Sequence, residues 1–157
     1  MKKAFSLIEL IIVIGILGIL AAVVIPIYQS QAQKAKEATA KDHLRTIRTL
    51  IEIYAAKNDV PPGYPDNDIT QVPMAEKLTE QITLAADTGD EFRGSMFQFP
   101  ANPFNNKAAV KIIPNAVDFP TKPEQTDSFG WIYKPATKTI RLNWSGVDSE
   151  SAAYFEY

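Results

Sequence analysis

Residues 10–27 read LIIVIGILGILAAVVIPI, a run of Leu, Ile, Val, Ala and Gly interrupted only by Pro26. No charged residue lies between Glu9 and Lys34. A helix rises about 1.5 Å per residue and the hydrocarbon core of a bilayer is about 30 Å thick, so roughly 20 apolar residues cross it. This run meets that requirement once. Lys2 and Lys3 precede it, and cytoplasmic flanks are rich in Lys and Arg, which places the N-terminus inside and everything after Tyr28 outside. A cleaved secretory signal peptide shares the basic start and the small residues Ser30 and Ala32 ahead of a cut. Its apolar region, however, is about 7–15 residues long, and it gains nothing from a carboxylate at Glu9.

Beyond the apolar run the composition changes without a linker. Residues 29–57 hold no Gly or Pro, and Ala40, Leu44, Ile47, Ile51 and Tyr54 recur at spacings of four and three, the mark of an amphipathic helix. Its polar face is expected to carry Lys34, Lys36, Glu37, Lys41, Asp42, Arg45, Arg48 and Glu52, partly as opposite charges three or four apart. The helix should be continuous with the membrane segment and end at Asn58, Asp59, Pro61, Pro62 and Gly63, because Pro cannot continue it. From Phe5 to about Lys57 it would reach roughly 80 Å, so half of it is expected to project from any globular part.

The remaining residues suggest a small head packed on the amphipathic face. A short helix is expected from Met74 to about Ala86, with Ala75, Leu78, Ile82 and Ala85 inward and a turn over 87–90. Short strands are expected over 95–99 and 109–113, and a hairpin should pair 129–134 with 139–144 around Pro135, Ala136 and Thr137. Trp131 and Tyr133 would lie on one face with Ile132 on the other, and Ile140 and Leu142 against Arg141 and Asn143, as in a half-buried antiparallel sheet. The fold class is therefore α+β, with four regions: 1–4, 5–28, 29–57 and 58–157.

Composition narrows the function. Among 157 residues, sixteen Lys and Arg face eighteen Asp and Glu, so no basic excess exists to neutralise a phosphate backbone and nucleic acid is not an expected partner. The absence of Cys rules out a disulfide, a thiolate nucleophile and a thiolate metal site. His43 is the one His, flanked by Asp42 and Leu44 on a helix without convergent partners, and reads as a solvated or partly packed ring rather than a base. No nucleophile elbow, phosphate loop or HExxH is present. Asn143-Trp144-Ser145 matches a glycosylation sequon but falls in an expected strand. The chain is not expected to be an enzyme.

The N-terminus carries the sharpest signal. Lys2-Lys3-Ala4, then Phe5-Ser6-Leu7-Ile8-Glu9-Leu10 and the apolar run, resembles the class III signal of type IV pilins and type II secretion pseudopilins, over residues 1–56. That resemblance implies a leader cut between Ala4 and Phe5 by a membrane aspartyl peptidase, which then methylates the Phe5 amine. Most members have Gly where this chain has Ala4, which is small enough for the same pocket. By the same likeness Glu9 is the fifth mature residue and Pro26 the twenty-second, a site where related helices loosen.

Physical reasoning on Glu9 agrees. A carboxylate costs about 2.5–3.5 kcal/mol at the centre of a membrane helix, less near the interface, and calls for a partner. A positive amine on Phe5 of a neighbouring copy would serve, and methylation retains its charge. The competing reading is a juxtamembrane Glu reaching interfacial water. Gly15 and Gly18 let helices approach closely, and Pro26 removes a backbone hydrogen bond. Assembly would bury the apolar helix surface against other copies.

The resemblance is strongest to the major pseudopilin branch. Many pilins of adhesive pili close a C-terminal loop with a disulfide, which this chain cannot do, and Asn102-Pro103-Phe104-Asn105 with Gly130-Trp131-Ile132-Tyr133 looks like segments of that branch. It implies a pseudopilus subunit in a type II secretion system. Its partners would be other copies, the prepilin peptidase, an inner-membrane assembly platform and minor pseudopilins. The chain would be a single-pass inner-membrane protein with a periplasmic head. Alternatives are a surface type IV pilus or DNA-uptake filament, a membrane-anchored periplasmic binding module, and, remotely, an exported hydrolase. Major pseudopilins carry a calcium loop, but Asp66-Asn67-Asp68, the acids at 87–91 and Asp148-Ser149-Glu150 lack its spacing and read as solvated turns. No cofactor is expected.

Overall fold

The computed structural model describes residues 6–86, 98–124 and 128–157. The chain forms two compact units, Met1–Ala35 and Lys36–Tyr157. A single helix, α1 (Leu7–Asn58), runs without a break through Gly15, Gly18 and Pro26. It ends where Asn58 Nδ2 returns to the Tyr54 carbonyl at 3.0 Å and Asp59 turns to φ 57°.

In the first unit every large apolar side chain from Leu7 to Tyr28 is exposed. In the second, α1 buries Ala40, Leu44, Ile47, Ile51 and Tyr54, the row expected from the spacing, together with Leu50 and Glu37. Glu37 departs from the expectation, since a residue assigned to the polar face is only 5% exposed.

The head follows as α2 (Ala75–Ala86), β1 (Val110–Ile112), β2 (Trp131–Lys134) and β3 (Thr139–Leu142), in the sheet order β1-β2-β3. Helix α2 faces inward through Leu78, Ile82 and Ala85, and also Gln81. The β2–β3 hairpin pairs Trp131 with Leu142 and Tyr133 with Ile140, as its alternation implies. Its turn is a short 3₁₀ stretch, Pro135–Thr137, closed by Lys138 in the left-handed region.

Two expectations about the sheet are corrected. Strand β1 pairs with β2 in parallel, Lys111 opposite Ile132, so the sheet is mixed rather than wholly antiparallel. Nor is β2 half-buried, since all four of its residues are buried, whereas β3 alternates as expected, with Ile140 and Leu142 buried and Arg141 less so. Trp131 and Tyr133 join the main core with Leu44, Ile47 and Ile51 of α1, while Ile132, on the opposite face, is covered by Ile113, Phe155 and Phe119. A central strand buried on both sides favours consecutive apolar residues, here Trp131, Ile132 and Tyr133, while the buried Lys134 donates to the Val117 carbonyl at 2.7 Å. The strand expected over 95–99 is not formed at 98–99, and 95–97, like the turn over 87–90, lies outside the described residues.

Buried amides stand in for missing strands. Asn102 Nδ2 donates to the Gly130 carbonyl at 3.0 Å, Asn105 and Asn143 donate to the Phe129 carbonyl at 3.1 and 3.0 Å, and Asn143 Oδ1 accepts the Glu124 N–H at 2.8 Å. Backbone groups beyond the sheet ends are thus satisfied by side chains, as burial requires.

Candidate functional site

Two places concentrate chemistry, one in each unit. The first is the N-terminal helix. Ser6 precedes the first helical turn and Glu9 sits at its third position, where Glu9 Oε2 accepts the Ser6 backbone N–H at 2.9 Å. This is half of a Ser-x-x-Glu capping box, which satisfies an amide that has no intrahelical partner and places negative charge at the positive end of the helix dipole. The Ser-x-x-Glu pattern that marks it is legible at residues 6–9.

Gly15 and Gly18 have nothing within 4 Å of where a Cβ would stand. The chain's own packing therefore does not require glycine at either position. The helix carries a window of mean hydropathy 3.2 with none of it buried, long and apolar enough to cross a membrane once. Ala4 and Phe5 lie outside the described residues.

The second place is a clasp of carboxylates between α1 and the C-terminal segment. Glu37 accepts hydrogen bonds from Ser149 Oγ at 2.9 Å, Ser149 N–H at 3.3 Å and Tyr154 Oη at 2.9 Å. One turn along, Lys41 Nζ reaches Asp148 Oδ2 at 3.1 Å, with the aspartate side chain 1% exposed. Asp148 also accepts the Tyr157 hydroxyl at 2.6 Å and the N–H groups of Glu150 and Ala152 at 2.8 and 2.9 Å. Arg48 Nη2 donates to the Ile140 carbonyl at 3.1 Å and to the Tyr157 carbonyl.

Electrostatics follow from these contacts. Burial pushes the Glu37 carboxyl up, but its bonds from Ser149 and Tyr154 outweigh that and hold it below its ordinary value. The Tyr157 hydroxyl, the Ala152 and Glu150 N–H groups and Lys41 hold Asp148 far below the carboxylate range against the opposing effect of burial. Asp148 is thus a buried structural anion and not the solvated turn residue expected from sequence.

The remaining candidates are structural. Asp68 takes the Thr70 N–H at 2.9 Å and hydroxyl at 2.7 Å, an ordinary turn cap. Asn67 Oδ1 accepts the Tyr54 hydroxyl at 2.6 Å. Asn143 is 3% exposed with both ends of its amide bonded, which closes the sequon to a glycan. His43 is half-buried. Among the described residues no cluster of three metal-ligating side chains occurs.

Comparison with known proteins bears on the first place. Residues 1–25 match the family model described as the prokaryotic N-terminal methylation motif. The chain is 40% identical over 67 residues to fimbrial protein EcpB of Eikenella corrodens, covering 43% of this chain and 42% of that protein. It is 38% identical over 62 residues to type II secretion system core protein G of Pseudomonas aeruginosa, covering 40% and 44%. Over its N-terminal part the chain is similar to type IV pilins and pseudopilins. A further pilin-type relative, fimbrial protein Q of Moraxella bovis, is 33% identical over 95 residues, covering 60% of this chain and 55% of the relative. The chain thus spans about half the length of the curated relatives it matches. No solved structure matches it. Members of this pilin family are structural subunits and not enzymes.

Proposed function

We propose that this chain is the subunit of a type IV pilus-like filament, made as a precursor, cut between Ala4 and Phe5 and methylated at Phe5. The observation that carries the reading is the methylation motif over residues 1–25 on a helix whose apolar surface from Leu7 to Tyr28 is wholly exposed. Water does not tolerate an apolar face of that extent, so it belongs in lipid or against other copies. Residues 5–28 form the membrane and assembly segment, 29–57 the amphipathic half and 58–157 the head.

Before assembly the subunit crosses the inner membrane once, with the head in the periplasm. Assembly moves the apolar face from lipid to protein, so van der Waals packing drives it, helped by Gly15 and Gly18, which bring helices close. Glu9 and the Phe5 amine of the next copy fix axial register, and Pro26 gives the helix a point of give as the subunit leaves the bilayer.

Within the family we place the chain in the type II secretion branch, as a pseudopilin working with an inner-membrane platform and minor pseudopilins. Favouring this are the match to a core protein G and a C-terminal segment secured by Glu37 and Asp148 in a chain with no Cys. The second reading is a surface pilus, supported by the fimbrial relatives.

Intact mass and the N-terminal peptide of the chain recovered from membranes test the proposal. A chain beginning at N-methylated Phe5 is expected. Recovery with Met1 in place would overturn processing and favour a monomeric anchored module.

A further inference from the structure

Charge is divided unevenly between α1 and the head. Within 36–58 there are five Lys and Arg against three Asp and Glu, one of which, Glu37, is buried; within 59–157 there are eight against fourteen. The basic row on the outward face of α1 is Lys41, Arg45 and Arg48, at helical spacings of four and three. Lys41 is engaged by Asp148 and Arg48 by the Ile140 and Tyr157 carbonyls. Arg45 is exposed and makes no ion pair among the described residues. Beside it, the small residues Thr46 and Thr49 leave an open groove of about 260 Å³ with Asp42 and Leu50, and Ile53, one turn on, is 41% exposed.

The head offers a matching edge. Its exposed apolar side chains Ile69, Val72 and Met74, at 59%, 71% and 49%, stand in one segment before α2, bounded by the exposed carboxylates Asp66, Glu76 and Glu80. All three carboxylates act on the single cation of that stretch, Lys77, which pairs with Glu80 at 2.9 Å. The edge is therefore both apolar and net negative, while the groove on α1 is small, partly apolar and lined by Arg45, with Asp42 one turn before it.

We propose that the Arg45 groove on α1 of one copy receives the 66–80 edge of a second copy, with Glu76 against Arg45 and the exposed apolar side chains over Thr46, Thr49 and Ile53. The occupant is a second copy because the two surfaces complement each other in charge and lie on the same chain at different places. Such a heterologous contact propagates instead of closing into a dimer. The inference rests on the filament reading and names the head surfaces that would meet in it.

The absence of Cys makes the test direct. Full-length chain carrying Arg45→Cys and Glu76→Cys is assembled in membranes with a pilus or secretion platform and mildly oxidised. A ladder of multimers is expected from the double variant, dimers from mixed single-cysteine chains, and neither from Glu76→Cys with Asp118→Cys. In parallel, Arg45→Glu should lower the assembled fraction about tenfold through like-charge apposition, and Glu76→Arg with Glu80→Arg should restore it in the same chain. Filaments without a ladder, or with Arg45→Glu assembling as wild type, overturn the contact and leave the filament reading standing. A cross-link to another protein overturns the second copy as occupant. Wild-type chain that never forms filaments sinks the filament reading and this contact with it.

Discussion

The Tyr154 hydroxyl donates to Glu37 Oε1 at 2.9 Å across 117 positions of sequence, and both residues are buried. The same carboxylate takes the Ser149 hydroxyl and N–H, so one side chain on α1 fastens the C-terminal segment at three points. Removing a buried charged acceptor leaves its donors unsatisfied, at about 1.5–3 kcal/mol. Glu37→Ala should therefore destabilise the head by about 2–3 kcal/mol. Glu37→Gln, which keeps one acceptor oxygen, should cost less. Denaturant unfolding followed by Trp131 and Trp144 fluorescence in detergent would check the order. Equal stability of Glu37→Ala and wild type would remove the clasp from the account.

Acid should open the same clasp. The folded-state values of Glu37 and Asp148 are both depressed, so their contribution to stability is fully present above the unfolded carboxylate range near pH 4 and is lost as pH falls through the folded values. Head stability should be level from pH 7 to about 5 and decline below about 4. Asp148→Asn should be less stable at pH 7 and show a shallower decline. A wild-type profile that is level down to pH 2 would contradict this.

Gly130 is held by sterics and not by its φ. A Cβ there would stand 1.9 Å from the Lys107 carbonyl oxygen and 3.0 Å from Asn102 Cβ, in the turn where Asn102 Nδ2 reaches the Gly130 carbonyl. Backbone atoms cannot swing away as a flexible side chain would, so Gly130→Ala should cost about 3 kcal/mol. Limited proteolysis of the head should show faster cleavage in this variant than in wild type.

These three positions also show where sequence reading ran out. The apolar run, the 40-44-47-51-54 row and the 131–142 hairpin were legible because each repeats its local period. Glu37 falls in the same row, three before Ala40, and that spacing was the available sign that a carboxylate faced inward. Asp148, Asn102 and Asn143 gave no such sign, since their burial depends on backbone groups brought in from distant segments. The parallel pairing of β1 with β2 was hidden for a similar reason, as the described residues of 113–130 between them form no crossover helix to announce it. At the N-terminus the Ser-x-x-Glu spacing of residues 6–9 is the sequence sign of the Ser6–Glu9 bond.

Gly15 and Gly18 give a contrast with Gly130. With nothing within 4 Å, Gly15→Ala and Gly18→Ala should each favour the helix by up to about 1 kcal/mol in the isolated chain. Membrane insertion and head stability should match wild type. If the glycines allow close approach of neighbouring helices, filament yield should fall all the same. Yield equal to wild type from the double variant would show that the contact surface lies elsewhere on the helix.

In the proposed filament Glu9 has two separable roles, the cap within the chain that its bond to Ser6 makes and a charge for a neighbour. Gln at the same position keeps an oxygen that can accept the Ser6 N–H at the third helical position but cannot neutralise a Phe5 amine. Glu9→Gln should therefore insert into membranes with an intact first helical turn and still fail to assemble, matching Glu9→Ala in filament yield. The two variants would differ only in fraying of residues 6–9, read by amide hydrogen exchange. Should Glu9→Gln assemble as well as wild type while Glu9→Ala does not, the capping bond is what assembly needs and the ion pair is dispensable.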